Sequence, residues 1–134
     1  MEEKFNEATP QRPDGDRVID SQLVMMDIPL FMKQIKEEPS WRDSGRNAIT
    51  IFKTHGMRIV LIALHKGAEM VRHTATGVIS LQVLEGRLSF TTDTGAVQLK
   101  KGEMLALHKG VAHSVVADEE TVFLLTLSTH STEN

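Results

Sequence analysis

The sequence predicts an all-β fold, a barrel or sandwich of many short strands preceded by one short amphipathic helix. Two observations carry this. From residue 48 onward, runs rich in Val, Ile, Leu, Thr and Phe ("AITIFK", "MRIVLIALHK", "MVRHTA", "VISLQVLE", "RLSFTT", "AVQLK", "EMLALH", "AHSVVA", "TVFLLTL") are separated by glycine-containing turns. Ahead of them stands a single segment of helical period, and no alternation of helix and strand follows that would build a parallel sheet.

Residues 1–22 are polar and charged and contain the turn formers Pro10, Pro13 and Gly15. This composition predicts a mobile arm, or a segment ordered only against a partner chain. Residues 23–130 then form one barrel domain, and 131–134 a tail. The helix is predicted at about 28–38, because Ile28, Phe31, Met32 and Ile35 fall at i, i+3, i+4 and i+7. Asp27 can cap its start, Pro29 is tolerated in the first turn, and Pro39 stops it. Its apolar stripe must cover something, and Trp41 joins that contact.

Two strands are apolar on both faces. In "RIVLIALH", Ile59, Leu61 and Ala63 point one way and Val60, Ile62 and Leu64 the other; in "TVFLLTL", Phe123, Leu125 and Leu127 oppose Val122 and Leu124. One face lines the barrel. One short helix is too small to cover the outer face of both strands, which predicts a homodimer.

The 134 residues suffice for one domain with a real core. A net charge of −3 gives no support for nucleic-acid binding. The absence of cysteine removes disulfides, thiolate nucleophiles and cysteine metal sites together. No apolar run is long enough to span a bilayer, and the acidic start is unlike a secretory signal, so a cytoplasmic protein without a membrane partner is expected. No G-x-S-x-G, P-loop or dinucleotide fingerprint is present.

The candidate site comes from two spaced patterns. Gly67 is followed by five residues, His73, then Ala75, Ile79 and, six residues later, Gly86. Gly102 is followed by five residues, then His108, Gly110, His113 and Ala117. These spacings resemble the two motifs of the cupin superfamily, and the chain resembles a small single-domain bacterial-type cupin with a degenerate first motif. The resemblance covers roughly residues 49–127 and implies a double-stranded β-helix, or jelly-roll, barrel. It also implies four metal-ligand positions, of which only those of His73 and His113 are kept. Ala75 replaces the second histidine, Ile79 the glutamate, His108 the proline of the second motif and Ala117 its asparagine.

Alternation puts Val71, His73 and Ala75 on one face of a strand, Ile79, Leu81 and Val83 on one face of the next, and His113 with Val111 and Val115. The register that the resemblance implies would bring His73 and His113 together, and with it a ligand pocket of His73, Ala75, Ile79, Leu81 and His113 inside the barrel. Two imidazoles make a weak metal site, since stable transition-metal sites use three or four ligands. Glu69, His65 or His108 could supply a third, none at the usual spacing. The expected cofactor is a weakly bound Zn, Fe, Mn or Ni ion, or none.

Three functions fit these residues. The first is a small-molecule binding protein, favoured because Ile79 in place of a carboxylate makes the lumen more apolar. The second, implied by the resemblance, is a metal-dependent oxygenase or isomerase using His73 and His113 as ligands. The third is a non-catalytic dimeric interaction or regulatory module.

Overall fold

The fold is described from a computed structural model, over residues 3–129; the expected tail at 131–134 lies outside the described residues. A hairpin of β1 (Lys4–Asn6) and β2 (Arg17–Asp20) leads to α1 (Ile28–Glu37) and α2 (Pro39–Asp43). The strands β3 (Arg46–Lys53), β4 (Met57–Leu64), β5 (Glu69–His73), β6 (Ile79–Glu85), β7 (Arg87–Thr92), β8 (Gly95–Lys100), β9 (Met104–Leu107), β10 (His113–Ala117) and β11 (Thr121–Ser128) follow. Each corresponds to one of the apolar runs quoted above. They form two antiparallel sheets, β5-β10-β7-β8 and β3-β4-β11-β6-β9.

The two sheets close on a core of Val60, Ile62, Leu64, Leu81, Val83, Leu88, Phe90, Val115 and Phe123. The other face of the five-stranded sheet builds a second core, in which Ile49, Ile51, Leu61, Ala63 and Val122 pack with Ile35 and Trp41. The period-two split of β4 and β11 is therefore as expected. Full burial of Ile35, Ile49 and Leu61 is worth about 1.5–3 kcal/mol apiece.

Helix α1 forms as its pattern predicts. The Asp27 carboxylate accepts from Leu30 N at 3.1 Å, Pro29 sits in the first turn, and Ile28, Phe31 and Met32 flank the buried Ile35. Pro39 ends this helix but also starts α2, a short second helix that the sequence reading lacked. Proline removes the hydrogen bond of a preceding helix, yet its fixed φ suits the first position of the next. Helix α2 delivers Trp41 onto the sheet. With Ile35 of α1, it covers part of the outer face of the five-stranded sheet.

The N-terminal segment also departs from expectation. A mobile arm, or one ordered only against a partner, is the expectation; residues 4–20 form a hairpin tied to the barrel of the same chain. Arg12 Nε donates to both oxygens of the buried Glu38 at 3.1 and 2.9 Å. Arg12 Nη2 donates to Ala48 O at 2.6 Å and Arg17 Nε to Thr50 O at 2.8 Å. Strand β3 is an edge of its sheet. Ala48 and Thr50 point their carbonyls the same way along it, so the two arginines cap an edge that would otherwise template strand addition. Burial alone would push the Glu38 carboxyl up, but hydrogen bonds from Arg12, Gln34 and Asn47 outweigh it and hold the group below its ordinary value.

Candidate functional site

His73 closes β5 and His113 opens β10, and the antiparallel register places them directly opposite each other. Their ring centroids lie 4.3 Å apart with the planes tilted by 60°. Phe90, on the neighbouring strand β7, stacks on His113 at 5.2 Å. His113 is buried, whereas His73 stands exposed at the rim. This differs from the expectation that both histidines sit inside the lumen.

Strict alternation does not account for the placement of His73 beside His113. Between the pairs Val115↔Met70 and His113↔His73 the register shifts, so Val71 and Arg72 together oppose Ser114 in a β-bulge. Met70 packs against the core and His73 joins His113, while Val71, expected on the same face as His73, is 69% exposed. Arg72 also points to solvent and pairs with Asp93, whose hydrogen bonds and then charge hold the guanidinium above its ordinary value. Val111, expected to share a face with His113, lies exposed before β10.

Each ring is oriented by the main chain. His73 Nδ1 donates to Val71 O at 2.7 Å and His113 Nδ1 to Val111 O at 2.9 Å. A carbonyl oxygen only accepts, so Nδ1 carries the proton in both rings. In the neutral imidazole Nε2 then holds the free lone pair. Neither Nε2 has a hydrogen-bond partner among the described residues. The only fully buried side-chain polar atom lacking one there is Asp20 Oδ1, so His113 Nε2 is not sealed in the core.

The two rings line a cavity of about 290 Å³ at one end of the barrel. Ile79, Leu125 and Leu127 give it an apolar wall, Ala75 and Gly77 a close backbone wall, and Thr74, Thr76, Ser128 and Thr129 a hydroxyl rim. On its inner side, His73, His113, Ile79 and Leu125 also line a void of about 20 Å³ with Leu81 and Phe90, which holds no more than a water molecule. The larger space is at the barrel mouth, and Leu81 meets His73, Ile79 and His113 at the inner void. His73, Ala75, Ile79 and His113 are brought together as expected.

The candidate third ligands are not brought to the pair. Glu69 is exposed and sits beside Val116, away from the mouth along β5. His65 follows β4 at the end of the barrel opposite the mouth, stacked on Trp41 with Nε2 at 2.7 Å from Trp41 O. His108 stands exposed in the 108–112 loop, which is tied to the mouth by Gly110 N donating to Ala75 O, but it does not line the cavity. No group of three His, Asp or Glu residues among the described residues could hold a metal ion. Two imidazole nitrogens without a carboxylate are a poor fit to a resident dication.

Gly77 is the site residue that the sequence reading passed over. A Cβ built there would lie 1.9 Å from Ser128 O, so only glycine lets the loop after β5 pass this close to the end of β11. Gly86, at the far end of the first motif, has φ +89, and a Cβ built there would lie 2.2 Å from Glu120 O.

The barrel superposes on solved structures. It matches a cupin superfamily protein from Desulfitobacterium hafniense with a TM-score of 0.65 and 13% identity, covering 82% of this chain and 94% of the other. The chain has the cupin fold. An RmlC-like cupin family protein with a double-stranded β-helix fold from Methanocaldococcus jannaschii gives a TM-score of 0.60 at 19% identity, over 67% of this chain and 86% of that one. A conserved protein of unknown function from Streptococcus pyogenes gives 0.63 at 21% identity, over 87% and 93%. No family model matches the sequence, and no curated protein matches it significantly. The similarity thus covers the cupin barrel and leaves function to the site itself. No helix among the described residues is long and apolar enough to cross a membrane.

Proposed function

We propose that this cupin-fold chain binds a small molecule at the barrel mouth. The ligand presents N–H or O–H groups to the Nε2 atoms of His73 and His113 and lays an apolar body on Ile79, Leu125 and Leu127. The observation that supports this reading is the shared tautomer: both Nδ1–H groups are held by main-chain carbonyls, which leaves two acceptors side by side in one cavity. A volume of about 290 Å³ suits a compact metabolite and is small for a dinucleotide or an extended cofactor. Each hydrogen bond adds about 0.5–1.5 kcal/mol net. A ligand lacking the donor leaves the imidazole acceptor unpaired, so discrimination comes from the histidines and affinity largely from the leucines.

The adjacency of the two imidazole rings also favours a second reading, an enzyme in which His73 and His113 would hold a divalent ion that would supply a Lewis acid. The incomplete donor set makes it the weaker of the two.

The test is ligand-observed NMR against small phenols, amides and heteroaromatic N–H compounds, repeated on His73→Ala. Binding by wild type that weakens about tenfold in the variant, as expected for a lost hydrogen bond to a preorganised acceptor, supports the first reading. Binding unaffected by the substitution would exclude it. Elemental analysis of protein purified without a chelating column decides the second: one equivalent of metal favours the enzyme.

A further inference from the structure

A second cavity lies outside the barrel, between the N-terminal hairpin and α2. Its volume is about 430 Å³, and Arg12, Arg17, Asn6, Gln11 and Ser40 line it. Two guanidinium groups face one space, and their charges are not balanced equally. Arg12 pairs with Glu38, whose carboxylate is fully engaged by Arg12, Gln34 and Asn47. Arg17 has no ion pair among the described residues; it donates to the carbonyls of Thr50 and Gly15. Burial, followed by the like charge of Arg12, holds the Arg17 guanidinium below its ordinary value, and the charge of Glu38, already engaged by Arg12, offsets this only in part. Both guanidiniums keep several N–H donors unspent, because each uses only Nε–H and one terminal N–H in these contacts. Two half-buried cations that share one carboxylate leave a net positive charge, which is costly unless something anionic offsets it.

We propose that this cavity is an oxyanion-binding site. Its ligand carries a carboxylate or phosphate group that bridges Arg12 and Arg17 through their free N–H groups, with the amides of Asn6 and Gln11 and the hydroxyl of Ser40 as further donors. Guanidinium geometry matches either anion in a bidentate manner. Glu7 also lines the cavity and is exposed, so it opposes the anion and sets the affinity to a moderate value. The site is separate from the barrel mouth, and neither proposal depends on the other.

Amide NMR titrations of the full chain with inorganic phosphate and with succinate, against sodium chloride at equal ionic strength, test this. The expected result is a saturable shift centred on Asn6, Gln11, Arg12, Arg17 and Ser40. Phosphate alone shifting them indicates a phosphoryl ligand, and succinate alone a carboxylate ligand; either supports the site. Arg17→Gln should weaken binding about tenfold, while Glu7→Gln, which removes a repulsive charge from an exposed position, should tighten it two- to fivefold. No saturable shift with either anion, or a Glu7→Gln affinity equal to or weaker than that of wild type, would overturn the proposal.

Discussion

His73 and His113 face each other across one strand pair, 4.3 Å between ring centroids, yet one is exposed and the other buried. Their substitutions should therefore separate function from folding. His113→Ala removes a buried ring stacked on Phe90 and should cost about 2–3 kcal/mol in urea denaturation. His73→Ala should stay within about 0.5 kcal/mol of wild type. Equal costs would show that the rim position of His73 is wrong.

Gly77 fixes the width of the mouth. Gly77→Ala drives a methyl group against Ser128 O and should destabilise the protein by about 1–3 kcal/mol, with amide shifts confined to the loop after β5 and the end of β11. A neutral substitution with unshifted resonances would mean that the loop does not approach β11 this closely.

Glu38 should give the protein an acid-labile component. Its folded value lies below the unfolded one, so the stability it contributes is full above the ordinary glutamate value, about 4.3, and is lost as pH falls through the folded value. Glu38→Gln should cost about 2–3 kcal/mol at pH 7 and flatten the stability profile below pH 5. A variant profile parallel to wild type would remove Glu38 from this role.

Arg12 and Arg17 cap the carbonyls of edge strand β3. Replacing both with alanine should free Ala48 O and Thr50 O and raise self-association, read by light scattering against concentration. An unchanged scattering profile would show that the edge is protected by other means.

Much of this fold is legible residue by residue. Nine apolar runs became β3 to β11, and the opposed faces of "RIVLIALH" and "TVFLLTL" sorted Val60, Ile62 and Phe123 into one core and Leu61, Ala63 and Val122 into the other. The histidine pair is implied by the cupin resemblance that the glycine and histidine spacing carries. What was hidden depends on distant partners. The bulge at Val71 and Arg72 is a matter of register against β10, and nothing local marks those two residues. Arg12 is an ordinary polar-segment arginine until Glu38, far along the chain, is brought to it. Gly77 looks like any loop glycine until Ser128 arrives beside it.

The central claim is that two histidine acceptors stand side by side at the barrel mouth. Long-range ¹⁵N–¹H correlation of the ring nitrogens tests it most directly. Both His73 and His113 should be protonated at Nδ1 and unprotonated at Nε2 at a pH where the rings are neutral. A spectrum with the proton on Nε2 of either ring would contradict it.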